Sequence, residues 1–377
     1  MSRHISTIKI ESFRGIKNLY IEGLAPINII TGDNNSGKTS ALEIIETLDA
    51  PANPSMWRSL IRRDRFMPAL TGLSLYEGFL SLFNIDGQKR NVRYEITFSD
   101  GETVKIEVNG EVVEESIPIN EWQELSGIYP SREEIDEKED GLTEDVNKLI
   151  WTVDLNGQRI LDNSIYDMQR AMKKGMGQGA DHLDENIHLA DVRYISPVRH
   201  AEGTVYLNSV LDSPELYEQM LQILREFDPG IISINVDNSD EKYRRGNVYK
   251  ILSKEHNSAL PLNVYGDGMK KAVLLMSAVV KTQGGILLLD EFETAIHTSA
   301  MDKTFKWILE TCMKLNVQLF LTTHSEEAID KVLKCSPELQ NKINVYTLYK
   351  KDDETVARRL DARKAIEIKD EMGIELR

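Results

Sequence analysis

Apolar and polar positions alternate from Ile5 to Ile10 and from Leu19 to Ile21, which predicts short strands with one buried face. Ile27 to Thr31 is apolar almost without interruption, the pattern of a strand buried on both sides. From Thr39 the period becomes helical, with Leu42, Ile45 and Leu48 on one face. A glycine-bearing loop joins that strand and helix. Between Pro51 and Asp191 the pattern weakens. Val92 to Phe98, Thr103 to Val108 and Glu111 to Val113 read as strands, and Asn109-Gly110 predicts a hairpin turn between the last two. Acidic Ser131 to Leu149 predicts a helix, and Lys173 to Gly179 a flexible loop. Residues 51–189 are therefore expected to form an inserted α+β lobe. No heptad pattern is sustained, which excludes a long coiled-coil arm.

Regular patterns return after Asp191. Tyr194 to Ser196 ends a strand before Pro197, Ser213-Pro214 opens a helix through Phe227, and Ile231 to Val236 and Val248 to Leu252 read as strands. Met269 to Lys281 is a helix apolar on nearly all sides. Gly284-Gly285 ends it before Ile286 to Leu289, a run too short for a helix and right for a central parallel strand. Ser299 to Leu315 is amphipathic, with Met301, Phe305, Ile308, Cys312 and Leu315 at helical spacing, and leads into the buried strand Val317 to Thr322. Strand, helix and strand make a parallel crossover. Ile343 to Tyr349 and Thr355 to Leu360 predict a terminal hairpin, assigned with the charged tail to residues 351–377.

Length changes this picture little: 377 residues suffice for one large α/β domain with an insertion, and 41% hydrophobic with 28% charged residues describes a globular chain. Charge is more informative. The net −16 is concentrated in residues 101–150, where 15 Asp/Glu stand against 4 Lys/Arg, which argues against polyanion binding there. Arg58, Arg62, Arg63 and Arg65, and Lys242, Arg244 and Arg245, are the groups left for a DNA backbone, with solvated faces as the plainer reading. Neither a signal peptide nor a spanning helix is indicated, so no membrane is expected. Two cysteines, Cys312 and Cys335, give no disulfide framework and no CxxC spacing, and a cytoplasmic location fits.

Gly32-Asp33-Asn34-Asn35-Ser36-Gly37-Lys38-Thr39 fits GxxxxGK[ST] between a buried strand and a helix, where phosphate-binding chemistry needs it. Backbone N–H groups without intrahelical partners converge there on anionic oxygens, aided by the positive end of the helix dipole. Gly32, Asn34, Asn35, Ser36, Gly37, Lys38, Thr39 and Ser40 form the expected ATP-binding set. Lys38 is expected to reach the β- and γ-phosphates and the Thr39 hydroxyl to hold Mg²⁺. The fold class this implies is α/β, a P-loop NTPase with a mixed or parallel sheet and flanking helices.

Asp290 and Glu291 follow the apolar run Leu287 to Leu289, at the carboxyl end of a strand where ligands of open α/β sheets bind. Asp290 is the expected Mg²⁺ ligand and Glu291 the base that activates the attacking water. Without the phosphate loop, the pair would read as a helix cap with a first-turn Glu. His324 ends the next strand on the same sheet edge and is the candidate γ-phosphate sensor, with Ser325 as cap of the following helix.

These elements, in this order, resemble the ABC-type ATPases of the SMC, Rad50 and OLD group. Ile8 to Ile16, with Phe13-Arg14-Gly15, is similar to that group's opening strand, Tyr265 to Lys271 stands where its signature motif does, and Glu293 to His297 is similar to its D-loop. The resemblance covers residues 1–50 and 190–350, and implies a split ABC-type head that binds ATP between two copies, the phosphate loop of one facing the signature of the other. Gly266, Asp267 and Gly268 then join the nucleotide-binding set, with Gly268 expected just before the helix. Gly266 stands where the group has serine and Asp267 where it has glycine, so the acid must turn away or pair with a base. Lys270 and Lys271 are available to compensate, or form a solvated helix turn. The group's Q-loop has no clear counterpart, since Gln88 follows the turn signal Asp86-Gly87.

OLD-type nucleases continue into a Toprim domain with its own acidic metal cluster. Here 52 residues follow Ser325, largely taken by the hairpin and tail, and Asp352-Asp353-Glu354 reads as a solvated turn. No nuclease activity is expected from this chain alone. The resemblance to stand-alone OLD-like AAA ATPases of prokaryotic antiphage systems such as PARIS implies an oligomeric ATP-hydrolysing switch that controls a separately encoded effector. The alternative is an ATP-dependent DNA-binding component of an SMC- or Rad50-like repair complex, and a third reading is a scaffold that binds ATP with negligible hydrolysis.

Overall fold

The structure, a computed structural model, describes residues 3–61, 73–84, 90–128, 142–169, 187–196, 205–237, 248–295 and 298–372. Its centre is a six-stranded mixed sheet built from β3 (Ile27–Gly32), β8 (Val192–Ile195), β12 (Ile286–Leu289), β13 (Gln318–Thr322), β14 (Ile343–Lys351) and β15 (Glu354–Asp361). Their order is β15-β14-β3-β13-β12-β8, parallel throughout except for the antiparallel edge strand β15. All the predicted strands of this sheet form.

Alternation along these strands divides the core in two. Ile27, Ile29, Leu287, Leu289, Leu319, Leu321, Ile343 and Val345 point to one side, while Ile30, Ile286, Leu288, Phe320, Tyr346 and Leu348 point to the other. The first face packs under α6 (Pro214–Leu224), α7 (Asp267–Lys281), α8 (Thr298–Lys314), α9 (Glu326–Cys335) and α10 (Ala362–Met372). Ser213 caps α6 by accepting from Leu216 N with Pro214 in the first turn, and Ser325 caps α9 by accepting from Ala328 N. α10 occupies most of the stretch expected as a charged tail. Its Ala362 and Ala365 lie in the core, while Lys369 reaches the Glu326 carbonyl.

The second face holds α1 (Lys38–Glu46) against a six-stranded antiparallel sheet of order β2-β1-β4-β5-β6-β7. These strands are β1 (Ile5–Phe13), β2 (Ile16–Glu22), β4 (Arg90–Phe98), β5 (Thr103–Pro118), β6 (Thr143–Leu155) and β7 (Gln158–Tyr166). β4 pairs directly with β1, so the strands expected to make an inserted lobe share one sheet with the first strands of the chain. Short helices α2 (Pro54–Ser59) and α3 (Leu75–Leu80), the latter with a Ser74–Glu77 capping box, pack on this core; α4 (Ile119–Ser126) caps the far tip. The remaining elements are α5 (Leu207–Leu211) and a three-stranded sheet of β9 (Ile231–Asp237), β10 (Val248–Ser253) and β11 (Leu260–Pro261).

Two expectations are corrected. Asn109-Gly110 is not a turn: β5 runs straight through it, with Asn109 opposite both Asn91 and Thr152 and Gly110 opposite Arg90 and Trp151. The glycine is needed because a Cβ there would meet the Phe83 ring at 2.6 Å. The acidic helix fails as well, since Thr143 to Leu149 is strand, paired along its length with β5 and joined by β7 from Lys148 on. Residues 131–141, the 173–179 loop, Gln88, Arg62, Arg63, Arg65, Lys242, Arg244, Arg245 and Ile296-His297 lie outside the described residues. Among the described residues, no helix is long and apolar enough to cross a membrane.

Candidate nucleotide-binding site

β3 delivers the loop to the edge of the parallel sheet. Gly32 has φ 136°, and a Cβ on it would sit 2.1 Å from the Leu348 carbonyl oxygen of β14. Asn35 (φ 63°) and Gly37 (φ 103°) are also left-handed, a conformation that turns successive N–H groups into one concavity. Gly37 is the N-cap of α1 and supplies no side chain to its free N–H groups, leaving them to a ligand. The Ser36 hydroxyl is buried beside Gly32 without a hydrogen-bond partner.

Lys38 folds back into this cradle. Its ammonium group, 5% exposed, donates to the carbonyls of Gly32 and Asp33, both at 2.8 Å. Burial lowers its pKa from the ordinary lysine value, opposed by the carboxylates of Asp290, Glu291, Asp33 and Glu293. Beside it, the Arg14 guanidinium lies 3.5 Å from the Glu43 carboxylate of α1 and donates to the Leu60 carbonyl.

The Asp290 side chain, 4% exposed, is held from two strands and a helix. Thr39 of α1 donates to Oδ1 at 3.2 Å, Thr322 of β13 donates to the same oxygen, and Tyr194 of β8 donates to Oδ2 at 2.9 Å. Burial, with Asp290 alongside, raises the Tyr194 pKa well above the usual phenol, so its hydroxyl stays a donor. Glu291 follows with φ 45°, and its N–H donates to the Thr322 hydroxyl at 2.9 Å. Its carboxylate stands 4.0 Å from His324 Nε2, and Glu293 accepts from the His324 backbone N–H at 3.0 Å.

A cavity of about 490 Å³ opens above these groups, lined by Arg14, Gly15, Ile16, Asn34, Asn35, Gly37, Lys38, Thr39, Ser40, Glu291 and His324. Gly32, Ser36 and Asp290 support it from below. The structure does not bring Gly266, Asp267 and Gly268 to this cavity. Gly266 rather than Gly268 precedes α7, where Asp267 is the first residue and pairs with Lys270 at 2.6 Å. That hydrogen bond and charge lower the Asp267 pKa.

These residues fit a magnesium nucleotide. A left-handed loop ahead of an uncapped helix suits phosphate oxygens, and the Thr39 hydroxyl beside the Asp290 carboxylate supplies hard oxygen donors. Among the described residues no three His, Cys, Asp or Glu side chains form a metal cage, so such an ion would draw its other ligands from phosphate and water. Sequence reading missed Tyr194 and the Thr322 side chain. Both reach Asp290 only through strand register, in which Leu289 stands opposite Ile195 on one side and Leu321 on the other.

Comparison with known proteins extends this geometry. A Helicobacter pylori protein named "ATP/GTP phosphatase" is 24% identical over 343 residues, covering 86% of each chain. An uncharacterised Methanocaldococcus jannaschii protein is 30% identical over 114 residues, 98% of its length and 30% of this chain. The Smc head domain with an extended coiled coil, bound to the C-terminal domain of ScpA from Pyrococcus furiosus, aligns with 99% of this chain and all of its own, at TM-score 0.49 and 11% identity. Over residues 27–330, from the strand that carries the phosphate loop to the helix after His324, the sequence matches a family profile, and the chain belongs to that family, described as "AAA domain, putative AbiEii toxin, Type IV TA system".

Proposed function

We propose that the protein is a magnesium-dependent ATP hydrolase in which two copies close head to head over nucleotide, and that closure controls a separate effector protein in prokaryotic antiphage defence. The observation that carries the hydrolytic part is the meeting of Thr39 and Asp290, 3.2 Å apart at the floor of a cavity whose walls are the phosphate loop, Glu291 and His324. The phosphatase name of the Helicobacter pylori relative supports it. Family membership supports a place in a toxin–antitoxin type of system, which is what the family description names.

Each residue has a task in this reading. Lys38 exchanges the Gly32 and Asp33 carbonyls for β- and γ-phosphate oxygens, and backbone N–H groups from Asn34 to Lys38 hold the same oxygens. Thr39 and Asp290 would hold Mg²⁺, which offsets charge developing on the phosphates. Glu291 accepts a proton from the water whose oxygen attacks the γ-phosphorus, and the β–γ bridging oxygen departs with ADP. His324 donates a hydrogen bond to the γ-phosphate. In the closed pair, the N-terminus of α7 meets the partner's nucleotide. A Cβ on Gly266 would find nothing within 4 Å, so this surface is open to approach, and Lys270 neutralises Asp267 beside it.

Phosphate release with Mg²⁺ and ATP tests the reading. Lys38→Ala should fall to background, and Glu291→Gln should retain ATP and run as a nucleotide-dependent dimer in light scattering. Turnover unchanged in either variant, or a Glu291→Gln protein that stays monomeric with ATP, sinks it.

A further inference from the structure

The Thr322 hydroxyl joins both members of the acidic pair. It is fully buried at the end of β13, donates its proton to Asp290 Oδ1, and accepts the Glu291 backbone N–H at 2.9 Å. A hydroxyl has one proton to give and lone pairs to receive, so these two bonds fix its direction. Glu291 meanwhile stands at φ 45°, a left-handed conformation that a residue with a Cβ holds only when its surroundings enforce it. The Asp290 N–H is bonded to the Ile195 carbonyl at 2.9 Å, so the chain is pinned immediately before the turn by β8 and at the turn itself by Thr322.

We infer that Thr322 is a positioning residue that holds Glu291 in its left-handed turn, aims the Glu291 carboxylate into the cavity, and ties that aim to the metal-holding Asp290. The inference rests on the hydrolytic reading above for its consequence and on the hydrogen bonds alone for its geometry. Thr322 is not among the residues that line the cavity, and its action passes through its two neighbours. Its place in the chain adds a link: His324 lies two residues on, with its own N–H held by Glu293, so the base and the phosphate sensor sit at the two ends of one short network. A shift of Asp290 toward Mg²⁺ would pull the hydroxyl that holds Glu291, which couples loading of the metal to orientation of the base.

The test compares Thr322→Val, which keeps the shape and removes the hydroxyl, with Thr322→Ser, which keeps the hydroxyl. Thr322→Val should lower kcat by about tenfold or more while KM for ATP moves less than about twofold, and Thr322→Ser should recover most of the loss. Hydrogen–deuterium exchange at the Glu291 amide in the nucleotide-free protein should accelerate in Thr322→Val and stay protected in Thr322→Ser. Should Thr322→Val fail to fold, Thr322→Ala takes its place, since it sets no methyl group against the Asp290 carboxylate. Unchanged kcat in Thr322→Val, or no recovery in a folded Thr322→Ser, overturns the inference. If the unaltered protein turns over no faster than Lys38→Ala, the hydrolytic reading is what fails, and the amide exchange then decides the role of Thr322 alone: protection retained in Thr322→Val refutes it.

Discussion

Replacing Gly110 by alanine sets a methyl carbon against the Phe83 ring, with ideal separations of 2.6, 2.9 and 3.2 Å to three of its carbons. Ordinary carbon contacts lie near 3.5–4.0 Å, so the ring must retreat by roughly 1 Å. Phe83 is buried in the core between the two large sheets, and such overpacking costs about 1–3 kcal/mol. Alanine offsets part of this, because glycine inside a strand is less favourable by about 0.5–1 kcal/mol. Gly110→Ala alone should therefore destabilise by about 1–2 kcal/mol, while in a Phe83→Leu background the same change should be neutral or slightly stabilising. Urea midpoints of the four proteins in this double-mutant cycle give the coupling, expected at about 1–2 kcal/mol. A hairpin at Asn109-Gly110 predicts something different: alanine would then suffer from the positive φ of the turn whatever stands at position 83. Additivity within about 0.5 kcal/mol would refute the continuous strand and the reason given for its glycine.

Two further outcomes follow from the site. Tyr194→Phe removes the donor to Asp290 Oδ2 and should raise the Mg²⁺ concentration for half-maximal phosphate release by roughly tenfold, read by metal titration at saturating ATP; an unchanged titration rejects the role. Burial depresses the Lys38 pKa, so in the nucleotide-free protein the unfolded chain holds the extra proton over the window between that depressed value and the ordinary one near 10.4. The contribution of Lys38 to stability should thus rise with pH across that window, whereas the stabilisation conferred by ATP, which needs the ammonium form, should decline. Thermal shifts with and without ATP, compared with Lys38→Met, separate the two, and an ATP-induced shift that stays level up to the ordinary lysine pKa contradicts the assignment.

How far the sequence was legible follows from where each signal resides. β3, β12 and β13 are buried on both faces, so their apolar runs announce central strands, and the phosphate loop is a contiguous string of residues with its own turn chemistry. Ser213 and Ser325 were readable as caps because capping is local. Asn109-Gly110 misled because its turn propensity is overridden by partners on both sides and by Phe83, which lies far enough away in sequence to leave no trace in a short window. Thr143 to Leu149 misled similarly, its exposed Glu144 and Asp145 standing on neighbouring positions of a strand rather than on a helix surface. In the site, Thr39 and Asp290 meet across 251 positions, and Tyr194 reaches the same carboxylate only because β8 pairs with β12 in a particular register. Residue types could nominate Asp290; only the register could nominate its hydroxyl donors.

The pairing of β14 with β3 has a consequence for biosynthesis. Leu348 lies opposite Gly32 and its carbonyl presses on the space a side chain would need, so one wall of the phosphate cradle is contributed by residues made more than three hundred positions later. A ribosome emitting this polypeptide N-terminus first would expose the loop long before that wall exists. A nascent chain halted before Ile343 should thus lack a finished cradle, and maturation of the site would wait on β14 to emerge.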